Sequence, residues 1–209
     1  MNRTYYSQNG QDFLIDLEIF DQQRNGFFME IGAYDGIKYS NTYFLESKRG
    51  WNGICIEANP KVYPDLKRNR SCVTLNACLS TQPGVEEFLC MTGKMEMLSG
   101  LKREFSSQHL LRIENELKRF GEQSEIMPVN CYTFEQLVLD HSIEHIDYLS
   151  IDTEGSEFSI IKSIDFSKTS ISVISVENTY HNTGLNEYMV FKGYKKVARI
   201  GEDDVFVLL

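Results

Sequence analysis

The chain has 209 residues, of which 42% are hydrophobic, so it can bury one sizeable core and is shorter than chains that usually divide into domains. Its formal net charge is −9, and no stripe of Lys and Arg alternates with aromatic residues, which argues against a nucleic-acid partner. No apolar run reaches the roughly 18 residues of a membrane span, and the first residues lack the apolar stretch of a secretory signal. We therefore expect one cytoplasmic domain over residues 1–209, without a membrane span.

The cysteines are five in number, which is odd, and none forms a C-x-x-C pair. The four histidines do not cluster with them at zinc-ligand spacing. This pattern predicts buried thiols in a reducing compartment and no structural metal. The cysteines are Cys55, Cys72, Cys78, Cys90 and Cys131.

Short apolar runs alternate with amphipathic stretches along the first part of the chain, which is typical of an α/β fold with a mostly parallel sheet. The predicted helices here span residues 8–20, 41–48 and 60–69, and the predicted strands span residues 26–31, 53–56 and 72–76.

The second part begins with a predicted strand over residues 85–90 and a polar, helical insertion over about 92–125, helical from about Arg103 to Phe120. Such an insertion either caps a pocket or packs as a solvated helix on the domain edge. Thr133 and Gln136 satisfy the capping box that begins a helix. The remaining predicted elements are strands 126–132, 146–151 and 171–176, a helix over 156–164, and a terminal antiparallel hairpin of 194–200 and 205–209.

The first predicted strand ends in the glycine turn FFMEIGAYDG, at the edge where an open α/β sheet holds its ligand. Gly32 and Gly36 do not fit G-x-G-x-x-G, and Asp35 would repel a pyrophosphate, so the turn does not favour NAD. S-adenosylmethionine carries a sulfonium and an ammonium group but no phosphate, so the carboxylates of Glu30 and Asp35 favour it.

The second predicted strand ends at Glu57, about 20 residues beyond Gly36, where an acid can accept hydrogen bonds from ribose hydroxyls. Cys78 and Leu79 follow the third strand and could pack against an adenine face, although an ordinary strand exit explains them equally well. The complete set expected at the cofactor is Glu30, Gly32, Ala33, Asp35, Gly36, Glu57, Ala58, Cys78, Leu79 and Asp152.

Two later strands end in further acidic residues, in IDTEGSEF and VENTYHN. Asp152, Glu154, Glu177 and His181 are the candidates for the base that removes a proton from an acceptor hydroxyl, and the sequence does not rank them. His181 is also compatible with a loop histidine that only hydrogen-bonds its neighbours. The converging acids could hold Mg²⁺, although carboxylates that face only a cationic cofactor require fewer assumptions.

Three stretches, YSQNGQDFLI, FFMEIGAYDGIKYSNT…GICIEANP and DYLSIDTEGSEFSIIKSI, together resemble the FkbM family of S-adenosylmethionine-dependent methyltransferases. The resemblance covers most of the chain and is weakest over the insertion. It implies a Rossmann-like class I methyltransferase fold, with a mostly parallel seven-stranded sheet, a C-terminal antiparallel hairpin and helices on both faces.

By motif, the resemblance implies that Glu30, Gly32 and Asp35 contact the methionine part of the cofactor and Glu57 the ribose. Asp152 and Glu154 would lie at the methyl-transfer region. Gln8, Gln11 and Asp12 match the family's N-terminal pattern and would fold over the cofactor, with a plain helix cap as the alternative.

The family methylates hydroxyls, commonly on sugars or polyketide-type natural products. We therefore expect an O-methyltransferase whose acceptor is a saccharide, as in glycan modification, or a related small molecule. An NAD-dependent oxidoreductase and a non-catalytic cofactor-binding module remain the alternatives. The sequence does not determine the oligomeric state.

Overall fold

The computed structural model describes residues 5–209. Its strands are β1 (Phe27–Ile31), β2 (Asn52–Glu57), β3 (Val73–Asn76), β4 (Cys78–Leu79), β5 (Gly84–Met91), β6 (Gly100–Leu101), β7 (Ser124–Tyr132), β8 (His145–Ile151), β9 (Ser170–Glu177), β10 (Tyr194–Ile200) and β11 (Asp203–Leu208). Its α-helices are α1 (Gln11–Phe13), α2 (Tyr63–Asn69), α3 (Ser107–Phe120), α4 (Phe134–Asp140), α5 (Glu157–Ser163) and α6 (Thr183–Phe191). A π-helical segment, Leu14–Ile19, continues α1, a second one spans Leu45–Arg49, and 3₁₀ turns span Gly93–Leu98 and Lys102–Glu104.

Seven strands form the main sheet in the order β10-β11-β9-β8-β1-β2-β3. The run from β9 to β3 is parallel, whereas β11 is antiparallel to both β9 and β10. This confirms the predicted α/β fold and its terminal hairpin. Because the parallel strands run in one direction, β1, β2, β8 and β9 bring their carboxyl ends to the same edge.

Hydrophobic cores cover both faces of this sheet. Successive residues of a strand point to opposite faces, and accordingly Phe28 packs with Ile15 and Leu66 while Met29 packs with residues of α4, α5 and α6. Every residue of β8 from Ile146 onward except Asp147 is buried, as expected for a central parallel strand. The rigid, two-sided packing holds the strand ends that carry the polar residues.

A second sheet, in the order β4-β7-β5-β6, lies between β3 and β8 in the chain. Its β5 and β7 pair antiparallel along their whole length and enclose Phe88, Cys90 and Val129. The sequence predicts both strands, but it does not indicate that they leave the main sheet. The insertion packs onto this sheet through a further apolar cluster that includes Met95, Phe105 and Ile113.

Several helix boundaries differ from the predictions. Helix α1 begins at Gln11 rather than at residue 8, because Gly10 precedes it in a left-handed conformation with φ 95°. Helix α3 begins at Ser107, since the Ser106 side chain accepts from the His109 N–H and caps it. Helix α6 is absent from the prediction, whereas the capping box of Thr133 and Gln136 is confirmed.

None of the helices within residues 5–209 has the length and apolar character needed to cross a membrane. The assignment of residues 1–209 to one domain stays a prediction.

Candidate active site

The glycine loop after β1 is locked against the ends of two neighbouring strands. The backbone N–H groups of Gly32 and Ala33 both donate to the carbonyl oxygen of Ile56, at 2.9 and 3.0 Å. Gly32 has φ +83°, and a Cβ atom there would lie 1.6 Å from the carbonyl oxygen of Asp152. Only glycine therefore permits this approach of the β1 and β8 loops.

Glu57 ends β2 with a buried and oriented carboxylate. Its Oε2 accepts from the backbone N–H of Tyr34 at 2.8 Å and its Oε1 from that of Asn59 at 2.7 Å. Burial raises the pKa of Glu57 to about 7. Each oxygen keeps acceptor capacity for a further donor, so this carboxylate can hold vicinal hydroxyls.

Two cavities meet at the loop. The first, which we call the inner cavity, lies between the ends of β1 to β3 and the second sheet and spans about 690 Å³ of space, including open solvent at its mouth. Its lining is largely apolar, with Glu57 and Asn59 among the polar residues. The apolar residues lining it are Ile31, Ile56, Ala58, Val62, Ala77, Cys78, Leu79, Phe88, Met97 and Leu101.

The second, the outer cavity, is wider, at about 1970 Å³, and opens to solvent. It shares Gly32, Tyr34, Met97, Asp152 and Glu154 with the inner cavity. Its outer rim combines aromatic, cationic and amide side chains. These are Gln8, Asn9, Gln11, Lys38, Tyr39, Lys94, Arg112 and Phe120.

An acidic cluster lies where the cavities meet. Burial, and then repulsion from Glu177, raise the pKa values of Asp152, Glu154 and Glu157. Carboxylate oxygens of Asp152 and Glu177 lie within 4.8 Å of each other, and burial raises the pKa of Glu177 as well. Burial raises the pKa of Asp203 to about 6. A cationic ligand would lower the free energy of this cluster by offsetting the repulsion.

Carboxylate oxygens of Asp152, Glu157 and Glu177 lie within 4.8 Å of one another, close enough to surround one cation. However, Oε1 of Glu157 already accepts from the backbone N–H groups of Thr153 and Gly155, at 2.8 and 3.0 Å. A metal ion would have to compete with these hydrogen bonds.

Most of the predicted site residues line one of the two cavities. Those that do are Glu30, Gly32, Ala33, Glu57, Ala58, Cys78, Leu79, Asp152, Glu154 and Glu177. Asp35, Gly36 and His181 do not. Asp35 instead accepts from the N–H groups of Ile37 and Lys38, at 2.9 and 2.7 Å, and so stabilises the turn.

Gly36 and His181 have structural surroundings of their own. A Cβ at Gly36 would lie 2.7 Å from the side chain of Arg70, so this glycine makes room for that packing. His181 is exposed, has φ 53°, and donates its backbone N–H to the carbonyl of Asn178 at 3.0 Å.

Glu30 lines the outer cavity, but its carboxylate is already engaged. It accepts from Ser40 Oγ, from the Asn41 N–H at 2.7 Å and from Thr42 Oγ1 at 2.7 Å. It also pairs with the buried guanidinium of Arg70 at 3.1 Å. These bonds make Glu30 an anchor of the segment after the glycine loop.

A cluster that joins α3 to the acidic rim is absent from the sequence-based predictions. His109 is fully buried, and its Nδ1 lies 2.9 Å from Tyr180 Oη and 3.6 Å from Glu154 Oε2. Arg112 lies 3.7 Å from the carboxylate of Glu154. Glu154 itself has φ 56°, a strained conformation for a residue other than glycine.

The surroundings of His109 favour one neutral tautomer. Its Nε2 faces the carbonyl oxygen of Leu98 at 3.5 Å, and a carbonyl only accepts, so this contact favours a proton on Nε2. Nδ1 then accepts from the hydroxyl of Tyr180. Burial lowers the pKa of His109. The signal in the sequence was its spacing of four from Ile113, which places both residues on the buried face of an amphipathic helix.

The main-sheet order, with the acidic loops at its carboxyl edge, defines an S-adenosylmethionine-dependent methyltransferase of the Rossmann-like class. The family model described as the methyltransferase FkbM domain matches residues 30–196. The chain therefore belongs to the FkbM methyltransferase family.

Comparison with solved structures gives matches at low identity. TrmK of M. capricolum in complex with S-adenosyl-homocysteine is 12% identical, with 88% of this chain and 62% of that chain covered and a TM-score of 0.43. The N-terminal domain of human METTL16 in complex with SAH is 12% identical, with coverages of 94% and 65% and a TM-score of 0.43. A human methyltransferase 10 domain containing protein is 12% identical, with coverages of 94% and 77% and a TM-score of 0.41.

The chain thus spans less than two thirds of the length of the first of these structures. A comparison with curated proteins gives no match.

Proposed function

We propose that this methyltransferase transfers a methyl group from S-adenosylmethionine to a hydroxyl of a saccharide or a related small molecule. One observation carries the proposal: the inner and outer cavities meet at Gly32, Tyr34, Asp152 and Glu154. A cofactor in the inner cavity would thus present its reactive end to an acceptor in the outer one. The cofactor supplies a methyl group bonded to a positively charged sulfur, which an acceptor oxygen can attack.

The donor set of the inner cavity fits this cofactor. Glu57 would accept from the two ribose hydroxyls, and the apolar lining of Ala77, Leu79 and Phe88 would pack on the adenine ring. The acidic cluster would face the cationic end. Gly32 fits as well, because a side chain there would separate the loops that form the junction.

The outer cavity suits an acceptor rich in hydroxyls. Tyr39 and Phe120 offer aromatic faces, and the amides of Gln8 and Asn9 offer donors and acceptors together. An amide side chain can donate to a hydroxyl group or accept from it, and the hydroxyl groups of a saccharide need both kinds of partner. Because this cavity opens to solvent, an acceptor larger than one sugar ring can extend out of it.

Among the candidate bases we favour Glu154. Glu154 and Asp152 both line the two cavities, but Arg112 lies 3.7 Å from Glu154 and favours its ionised form, which can accept a proton. His181 lies outside the two linings. The acceptor O–H would give its proton to the Glu154 carboxylate while the oxygen forms its bond to the methyl carbon. Such a base contributes typically about 10² to 10⁴ in rate, and alignment of the reacting atoms contributes roughly 7 to 11 kcal/mol.

We propose that the cation facing the acidic cluster is the cofactor rather than Mg²⁺. The cofactor's charge suffices to offset the carboxylates, and Glu157 is engaged by backbone donors. Methyl transfer unchanged by EDTA is the expected result, and loss of transfer that Mg²⁺ restores would contradict it.

The test has two parts. Calorimetric titration with S-adenosylmethionine, S-adenosylhomocysteine and NAD should show binding of the first two only, and binding of NAD alone would overturn the proposal in favour of an oxidoreductase. Labelled methyl donor is then incubated with a saccharide array. Transfer to hydroxyls that is lost in Glu154→Gln but kept in Glu135→Gln, on the exposed surface of α4, is expected. Cofactor binding without transfer to any hydroxyl compound would favour a binding module.

A further inference from the structure

We propose that Asn59 recognises the adenine ring of the cofactor, by donating a hydrogen bond from its side-chain amide to a ring nitrogen. The inference rests on the proposed placement of adenosine in the inner cavity. It adds a specificity-determining residue that the acidic motifs do not contain.

The amide of Asn59 lacks a partner. The residue is 2% exposed and lines the inner cavity, and its Nδ2 is the one buried side-chain nitrogen or oxygen within residues 5–209 that makes no hydrogen bond. Buried amide donors are normally paired, because leaving one unmade costs free energy. An unpaired donor in a ligand cavity therefore indicates that the ligand supplies the acceptor.

The orientation of the amide is fixed by its other atom. Oδ1 accepts from the backbone N–H of Lys61 at 3.0 Å and faces the thiol of Cys90 at 3.7 Å. Rotating the amide by half a turn would place its NH₂ against two donors. Nδ2 is thus the atom left for the ligand.

The backbone holds Asn59 just as firmly. Its N–H donates to Glu57 Oε1 at 2.7 Å, and its carbonyl accepts from the N–H groups of Val62 and Tyr63 at 3.1 and 3.0 Å. The donor is therefore in place before the ligand arrives, which limits the ordering cost on binding.

Several other polar side chains of the inner cavity are not available to donate to an adenine nitrogen. Glu57, when ionised, only accepts, so it serves ribose hydroxyls and not ring nitrogens. The hydroxyl of Ser99 is used by the carbonyl of Glu96 at 2.6 Å, and that of Thr153 by Glu157 at 2.8 Å. Adenine offers ring nitrogens as acceptors, and Asn59 supplies the matching donor.

The experiment compares ligands and variants by calorimetry. S-adenosylhomocysteine and its 1-deaza, 3-deaza and 7-deaza analogues, which each replace one ring nitrogen with C–H, are titrated into wild type and Asn59→Asp. The aspartate keeps the oxygen that binds Lys61 but loses the donor. We expect one analogue to bind wild type about tenfold more weakly than S-adenosylhomocysteine. In Asn59→Asp, that analogue and S-adenosylhomocysteine should bind equally.

The matched control is Asn76→Asp, because the Asn76 amide already donates to the carbonyl of Glu57 at 2.8 Å and lies outside the lining of the cavity. In this variant the selected analogue should still bind more weakly than S-adenosylhomocysteine. If all three analogues bind wild type as tightly as S-adenosylhomocysteine, the role of Asn59 is refuted while the cofactor site stands. If wild type binds no S-adenosylhomocysteine, the cofactor placement fails first. The analogue series needs only wild-type protein, so a poorly folded variant does not prevent the test.

Discussion

Glu57 Oε2 accepts the backbone N–H of Tyr34 at 2.8 Å, so the last residue of β2 is bonded directly to the glycine loop that follows β1. One carboxylate thereby orders the loop and presents itself to the inner cavity. The protonation state of Glu57 therefore affects both the stability of the loop and the affinity for the cofactor.

Cofactor affinity should rise with pH through about 7, because burial raises the pKa of Glu57 to about 7 and ribose hydroxyls bind the ionised form. Below that pH the affinity should fall about tenfold per unit. Calorimetric titration with S-adenosylhomocysteine from about pH 5.5 to about pH 8.5, a range centred on that pKa, measures this pH dependence of the affinity.

Glu57→Gln should flatten this profile, whereas Glu135→Gln on the exposed surface should leave it intact. The stability of the protein without cofactor should depend on pH in the opposite direction. A raised carboxyl pKa means that the folded state holds the proton longer, so this contribution is present below about pH 4.5 and is lost as pH rises through 7. Equal profiles in wild type and Glu57→Gln would contradict both statements.

Gly32→Ala should unfold the loop region or prevent expression, because the new Cβ would lie 1.6 Å from the backbone oxygen of Asp152. We expect a loss above about 3 kcal/mol in the free energy of unfolding, measured with urea. Gly121→Ala is the matched control, since Gly121 also has positive φ, +67°, but no heavy atom lies within 4 Å of the place where its Cβ would be. It should cost only about 1 kcal/mol. Equal losses in the two variants would mean that steric overlap at Gly32 is unimportant.

Arg70→Met should destabilise the protein by about 3 to 5 kcal/mol, because it leaves the buried Glu30 carboxylate without its cation. Arg68→Met, two residues earlier, removes an exposed pair with Asp65 and should cost less than about 1 kcal/mol. Urea unfolding of both variants compares them. If Arg70→Met is as stable as Arg68→Met, the pair with Glu30 does not anchor this segment.

His109 should stay neutral as pH falls through 6.5, because burial lowers its pKa. Long-range ¹H–¹⁵N NMR should show the proton on Nε2, and Tyr180→Phe, which removes the donor to Nδ1, should move the Nδ1 resonance of this histidine alone. His109 protonated at Nδ1 at neutral pH would refute the assigned hydrogen bonds.

The positions of Glu57, Asp152 and Glu177 could be predicted because each ends a parallel strand or directly follows one, and parallel strands end at one edge of the sheet. The contact of His109 with Tyr180 could not be predicted, since it joins helix α3 to a loop residue 71 positions later. The sequence pattern indicated His181, the residue after Tyr180, instead. His181 lies in a turn with positive φ, and residue spacing does not determine which way a side chain points there. Likewise, the orientation of the Asn59 amide is set by contacts of its Oδ1 with Lys61 and Cys90, and these contacts cannot be predicted from the sequence pattern.

The segment between β3 and β8 contributes Phe88 and Leu101 to the inner cavity and Arg112 and Phe120 to the outer cavity. A single stretch thus forms walls of two compartments while the main sheet holds Glu57 and Asp152. If the two cavities hold cofactor and acceptor as proposed, exchanging this whole stretch between relatives should change acceptor preference and cofactor affinity together, whereas exchanging α3 alone should change only acceptor preference.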